Sequence, residues 1–439
     1  MLNKIIGTTG TRILNAFFAL VILYLMANYI GSNGMGVIAL ILLDITIIQL
    51  VIDLVAGSAL IYFASRTNLG QLLFPAYFWI GFVVTLFYFL FKLTTAWFPS
   101  LTALAVPEGY STHILSLALL SGLMVTHYNL LLGKERIKTY NILFTIQISA
   151  MLLVFIYQLF VMKNTNVDAY LSGLYFGYGL AAIGGFFAVV FKSGGMEISG
   201  WRATTRKVLK YGMVTQMANI LNIGNNRISF YVIRYFLGLS VLGIYNAGIQ
   251  LTEGLRVIGQ SIAVVQFSTI SNTNEAEYAR TLTIRLMKVS VLLTAMALLI
   301  LLIIPEHIYS LLLTKDFSGV KPVIIALSPG VMALAINNIF SHYFSGMGNP
   351  KINLHAKITG LVFTVVLLFI LIPAFGIIGA AITASVSYMA TVIHQYIVFE
   401  KQTKTRFAEW MPVTEDFRAF KSIVQTALKN PNKKNSDEQ

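Results

Sequence analysis

Six ionisable side chains stand inside long apolar stretches of this sequence: Asp44, Asp53, Arg227, Arg234, Glu253 and Arg256. Three are acids and three are bases, so the set can be neutral overall. A charge at the centre of a bilayer costs about 2.5–3.5 kcal/mol on insertion scales, and such residues face protein or a wet cavity rather than lipid. Amides gather around them. Asn219, Asn222 and Asn226 recur at i, i+3, i+7 of a helix, and Arg227 and Arg234 share a face beside that stripe. At about 100° per residue these five positions cover an arc of about 140°. In the next apolar stretch Gln250, Glu253, Arg256 and Gln260 cover about 120°. Two neighbouring helices each present one polar face, which must point into protein or water.

The functional reading of that chemistry is a wet cavity lined by cations and amides. Guanidinium groups grip phosphate in a bidentate fork and hold their charge at any reasonable pH, while amides can hydrogen-bond sugar hydroxyls. A buried carboxylate can carry H+ or Na+ and couple transport to the membrane potential, worth about 2.3 kcal/mol per charge per 100 mV. Asp53 and Glu253 are candidates, and Asp44 is a third. Asp44 and Asp53 lie nine apart, about 180° on an ideal helix, so they do not share a face. A structural reading stands beside this one: Glu253 and Arg256 form an i, i+3 ion pair, and Arg227 pairs with Asp53. Arg12 and Asn15 share a face of the first apolar run, where Arg12 either meets incoming substrate or snorkels to the interface. His127, His342 and His394 are scattered singles without metal-ligand spacing, expected to be hydrogen-bonded within helices. Cysteine is absent, and no GxxxxGK[ST] loop supplies ATP chemistry. No metal or other cofactor is expected.

The elements that must position these residues follow from composition. The 439 residues are 57% hydrophobic and 11% charged, against about 45–50% and about 25% in soluble domains. Too little charge is present to cover a soluble surface, which leaves an all-α polytopic membrane protein. A span needs roughly 20 apolar residues, and twelve segments qualify: 11–30, 37–64, 72–91, 113–132, 141–162, 169–191, 211–236, 241–270, 286–304, 320–345, 356–373 and 378–399. The net charge of +14 would suggest nucleic acid in a soluble protein, but here it sets topology. With the N-terminus inside, 24 of the 31 Lys and Arg fall on the cytoplasmic side and four on the other, which places both termini in the cytoplasm. The first span lacks a cleavage site and reads as a retained helix. Beyond Glu400, Phe417, Phe420, Val424 and Leu428 recur at helical spacing after an acidic start at Glu415 and Asp416, the pattern of an amphipathic helix on the membrane face.

The chain also repeats itself. Residues 24–40, YLMANYIGSNGMGVIAL, align without gaps with 231–247, YVIRYFLGLSVLGIYNA, so that Tyr24 meets Tyr231, Gly31 meets Gly238 and Gly36 meets Gly243. A weaker echo pairs Gly133-Lys-Glu-Arg-Ile with Gly348-Asn-Pro-Lys-Ile. The halves are six helices apart, so they insert the same way, related by an axis along the membrane normal. Two parallel six-helix bundles around a central cavity are expected, over 1–200 and 201–400, with a cytoplasmic tail over 401–439. The pattern Gly173-x3-Gly177 suits close helix packing within the chain.

With these features the sequence resembles the multidrug/oligosaccharidyl-lipid/polysaccharide exporter superfamily. The likeness rests on Ile30-Gly31-x4-Gly36 with its partner Leu237-Gly238-x4-Gly243, on Leu54-Val55-Ala56-Gly57 followed by Arg66, on Lys210-Tyr211-Gly212, and on Pro373-x2-Gly376-Ile377-x-Gly379. Within it the chain is most similar to the polysaccharide transporter branch, which includes the O-antigen flippases. That resemblance implies a non-enzymatic flippase in the bacterial inner membrane, moving undecaprenyl-diphosphate-linked oligosaccharide by alternating access for surface polysaccharide synthesis. A polysaccharide polymerase would be its working partner, and membrane lipid its surroundings. A cation-coupled multidrug exporter is the sister reading, against which three intramembrane arginines argue. A membrane-embedded polymerase or ligase is a third, disfavoured because the outer loops hold only the widely separated acids Glu108, Asp168, Glu306 and Asp316.

Overall fold

In the computed structural model, residues 2–191, 197–271, 275–405 and 407–410 are described, and among them the regular structure is helical throughout. The chain order is α1 (Leu2–Leu25), a π-turn (Met26–Ile30), α2 (Gly31–Ala56), α3 (Ala59–Ala64), α4 (Leu69–Trp97), α5 (Pro99–Ala105), α6 (Ser111–Gly133), α7 (Ile137–Phe160) and α8 (Val167–Val190). There follow α9 (Trp201–Leu237), α10 (Leu239–Glu253), α11 (Arg256–Ser271), α12 (Ala276–Ile303), α13 (Glu306–Leu313), α14 (Val320–Gly346) and α15 (Lys351–Thr403). The expected amphipathic helix over 414–428 and the side chain of Arg12 lie outside the described residues.

Eight helical segments among the described residues are long and apolar enough to cross a bilayer. Two of them, Leu14–Ala64 and Lys351–Thr403, each hold two of the expected spans. The two expected spans left over are 211–236 and 241–270. Both are helical, but the amides and arginines of 211–236 make it too polar to qualify, and 241–270 is divided between two helices of 15 and 16 residues, each too short. The protein is a multi-pass, all-α membrane protein. Its outward faces carry large apolar side chains, such as Phe78, Ile300 and Phe369, exposed as lipid contact requires.

Lipid is as apolar as leucine, so close packing rather than hydrophobic transfer holds membrane helices together, and small residues mark the crossings. Gly173 and Gly177 of α8 lie against the carbonyls of Met151 and Gln147 on α7, confirming the intramolecular reading of that motif. Gly212 of α9 lies against the Leu54 carbonyl of α2, so two motifs distant in sequence meet directly. Gly376, at φ 58° and ψ −136°, bends the line of α15 between its two expected spans. The eighth expected span is not one continuous helix: it breaks at Gly254 and Leu255, where Leu255 N–H donates to the Thr252 carbonyl at 3.1 Å.

The chain forms two compact units. The first comprises Met1–Gly248, Pro305–Val323 and Leu368–Ala380; the second comprises Ile249–Ile304, Ile324–Leu367 and Ala381–Gln439. In the first, α2 runs antiparallel to α9. In the second, Phe340, Phe344 and Phe399 form an aromatic core that receives Trp410. Arg280 clamps that end of the chain through Glu409 and through Thr405 Oγ1 at 2.9 Å.

Candidate functional site

The first unit places Asp44, on α2, against α9. Tyr231 donates its hydroxyl to Asp44 Oδ1 at 2.6 Å. Arg234, one turn further along α9, interacts electrostatically with the same carboxylate. Asp44 is only 6% exposed, where a charge interaction is far stronger than in water. Each member of the pair keeps one buried polar atom without a hydrogen-bond partner, Asp44 Oδ2 and Arg234 Nη1. The arrangement is a carboxylate and a guanidinium within electrostatic reach of each other, each with bonding capacity in reserve.

Asp53 sits elsewhere on α2, as its spacing from Asp44 requires. Its carboxylate accepts from Gln49 Nε2, one turn earlier, at 2.7 Å. Its backbone carbonyl accepts from Gln216 Nε2 of α9 at 3.5 Å, and Gln216 Oε1 accepts from Asn219 Nδ2 at 3.0 Å. An amide relay therefore runs from the α9 stripe onto α2. Arg227 carries its guanidinium 5.1 Å from the ring centre of Phe230. Asn222 and Asn226 are half-buried and Asn219 is exposed. Spacing alone did not single out Gln49, Gln216 or Tyr231. Tyr231 stood out only as the repeat mate of Tyr24.

At the start of α9 the side chains are tied down from α4. Thr204 Oγ1 donates to Gln71 Oε1 at 3.2 Å, Gln71 Nε2 donates to the Ser199 carbonyl, and Trp201 meets Phe74 edge-on with ring centres 5.4 Å apart. This end carries Arg202, Arg206, Lys207 and Lys210, all exposed. Next to them Tyr62 stacks on Tyr211, ring centres 5.3 Å apart and planes 13° apart, and the Arg66 guanidinium covers Tyr62 at 3.9 Å.

In the second unit Glu253 and Arg256 form the expected i, i+3 pair at 3.7 Å, across the break between α10 and α11. Lys357 of α15 lies close enough for its charge to oppose that of Arg256, and Arg256 Nε is buried without a partner. Gln250 is half-buried and Gln260 exposed. The single histidines are hydrogen-bonded: His127 to Tyr77, His342 to the Asn338 carbonyl and His394 to Thr359. Among the described residues no group of His, Asp and Glu could hold a metal ion.

Residues 25–322 match the family described as polysaccharide biosynthesis protein. The chain belongs to that family. All six intramembrane charges and the amide stripe of this polysaccharide biosynthesis protein fall inside the matched region. A Haloferax volcanii protein, a probable low-salt glycan biosynthesis flippase, is 23% identical over 195 residues, 44% of this chain. An uncharacterised membrane protein of Methanocaldococcus jannaschii is 27% identical over 210 residues, 47% of this chain. The match spans 41% of the length of either relative. Among solved structures, the lipid II flippase MurJ in an inward closed conformation superposes with a TM-score of 0.70 at 15% identity, covering 98% of this chain and 93% of that one. An inward-facing multidrug resistance transporter of the MATE family superposes with a TM-score of 0.68 at 12% identity, covering 89% and 95%. At these identities the likeness is one of fold: the polysaccharide biosynthesis protein shares the helical exporter fold expected from its repeat.

Proposed function

We propose that this protein is a flippase for polyprenyl-diphosphate-linked oligosaccharide, of the undecaprenyl kind in bacteria, serving surface polysaccharide synthesis. The observation that carries this reading is Arg234: a cation inside an apolar helix bundle, beside Asp44, with Nη1 buried and unpartnered. A diphosphate head group needs such a cation to leave its leaflet, and it can take over the guanidinium from Asp44. Family membership and the relative named as a glycan flippase support the same substrate class. Arg227, Arg256 and the amides Asn219, Asn222, Asn226, Gln250 and Gln260 would line the path, with Arg12 meeting incoming substrate. The mechanism is alternating access of the halves 1–200 and 201–400 in the cytoplasmic membrane, with both termini inside and coupling to H+ or Na+ at Asp53, Glu253 or Asp44. It does its work beside a polysaccharide polymerase.

The test is surface glycan in a strain lacking the chromosomal copy. Alanine at Arg227, Arg234 and Arg256, one at a time and at normal membrane levels, should reduce export, most strongly at Arg234. Unchanged export in all three would sink the reading. Efflux of cationic dyes by the parent protein would instead assign it to drug export, which the shared MATE fold allows.

A further inference from the structure

We propose that Tyr211, backed by Tyr62 and Arg66, is a sugar-stacking platform at the Lys/Arg-rich end of α9, where the glycan of the substrate first docks. The inference rests on the flippase reading and specifies which residues meet the sugar rather than the diphosphate.

Three layers build the platform. Arg66 lies over one face of Tyr62 at 3.9 Å and is held there by Nη1 donating to the Tyr62 carbonyl at 2.7 Å. The ring of Tyr62 stacks on Tyr211, and Phe63 meets Tyr211 edge-on at 84°. Position 211 is fixed by its neighbour, since Gly212 lies against the Leu54 carbonyl and cannot shift without moving α2. Yet Tyr62 remains 44% exposed and Tyr211 43% exposed. A polarised aromatic face, rigidly supported from behind, is what the C–H face of a pyranose ring packs against.

The position of Tyr211 on its helix gives the platform a direction. Taking Tyr211 as origin, Thr215, Asn219, Asn222 and Asn226 all fall within about 80° of arc. The sequence thus sets one aromatic at the foot of a ladder of hydroxyl and amide groups. Met213, Met217 and Ile220, exposed apolar residues, lie on the opposite side of α9, where lipid contact is tolerated. Gln216 lies between the two faces and is committed to Asp53. Lys207, one turn before Tyr211 and exposed, adds a cation for the diphosphate beside the same edge. Stacking first and amides after it form a track along which sugars exchange water for protein groups one at a time.

The experiment uses the full-length protein in detergent and two probes: bare polyprenyl diphosphate, and the lipid-linked oligosaccharide fraction of the producing cell. Tyr211→Leu keeps apolar bulk and removes the aromatic face. It should weaken binding of the glycosylated lipid about tenfold, the scale of one aromatic contact, and leave the affinity for the bare lipid where it was. Tyr211→Phe should restore the lost affinity. Bare-lipid binding doubles as the check that the variant is folded. Equal weakening of both lipids, or no weakening of either, overturns the platform and leaves the flippase reading intact. If the parent binds neither lipid, the flippase reading falls and the platform with it.

Discussion

Gly36 and Gly243, 207 positions apart, lock into each other's backbone. A Cβ on Gly36 would strike the Leu239 carbonyl, and a Cβ on Gly243 would strike the Ser32 carbonyl. Leu239 is itself the repeat mate of Ser32, so the contact is reciprocal: each repeat does to the other what is done to it. The helices are entered the same way, through Gly31 at φ 78° and Gly238 at φ 85°, a conformation that glycine adopts without strain. Ser32 and Ser240 close the junction with hydroxyls 2.6 Å apart. Four repeated glycines thus serve two purposes, turning the chain and letting α2 and α10 touch.

Adding one methyl there should force the helices apart. Gly36→Ala and Gly243→Ala are each expected to cost about 1–3 kcal/mol by overpacking. Thermal unfolding in detergent should show a lowered midpoint for both and no change for Gly81→Ala, since a Cβ at Gly81 meets open space.

The same junction offers a reversible lock. The chain has no cysteine, so a Ser32→Cys, Ser240→Cys pair reports without background. Hydroxyls at 2.6 Å place the two Cβ atoms near the roughly 3.8 Å that a disulfide spans. Oxidation should form the bond and halt export, and reductant should restore it. Full export by the cross-linked protein would mean that α2 and α10 never separate at this point.

Asp44 and Arg234 separate structural from functional charge. Arg234→Ala removes the cation that acts on the buried Asp44 carboxylate and should lower stability. The double variant Asp44→Asn, Arg234→Ala should recover most of that stability while export stays low, because the cation proposed to meet the substrate is still gone. Recovery of export along with stability would show the pair to be a helix tie only. Tyr231→Phe, which removes the donor to Asp44 Oδ1, should lower stability by about 1–3 kcal/mol and export far less than Arg234→Ala.

Much of this was legible in the sequence, for identifiable reasons. Apolar run length announces a span regardless of its neighbours, and the repeat announced Gly36 and Gly243 because glycine at a crossing has no substitute. The i, i+3 pairing of Glu253 with Arg256 also followed from spacing. What spacing cannot give is the partner on another helix. Tyr231 was a repeat marker until α2 came alongside it, and Gln216 was an unremarked polar residue until it reached the Asp53 carbonyl. The break at Gly254 was hidden for the opposite reason: an apolar run reads as continuous whether or not its backbone is. Gln250 and Glu253 therefore lie on one helix and Arg256 and Gln260 on the next, so the four share no single helical face.

Asp53 is the place to test coupling. Its carboxylate is held on α2 by a hydrogen bond from Gln49 at 2.7 Å; only a coupling role predicts a response to gradients. In proteoliposomes carrying the lipid-linked substrate, Asp53→Asn should preserve exchange between leaflets in the absence of a gradient, because an amide can keep the contact with Gln49. It should abolish the acceleration caused by an imposed Na+ or proton gradient, because an amide takes up neither ion. The same comparison for Glu253→Gln reads the second unit. There the loss of Glu253 also leaves Arg256 facing Lys357 without its acid, so a fall in stability should accompany any change in coupling. A parent protein whose exchange ignores both gradients would remove the carboxylates from the mechanism altogether.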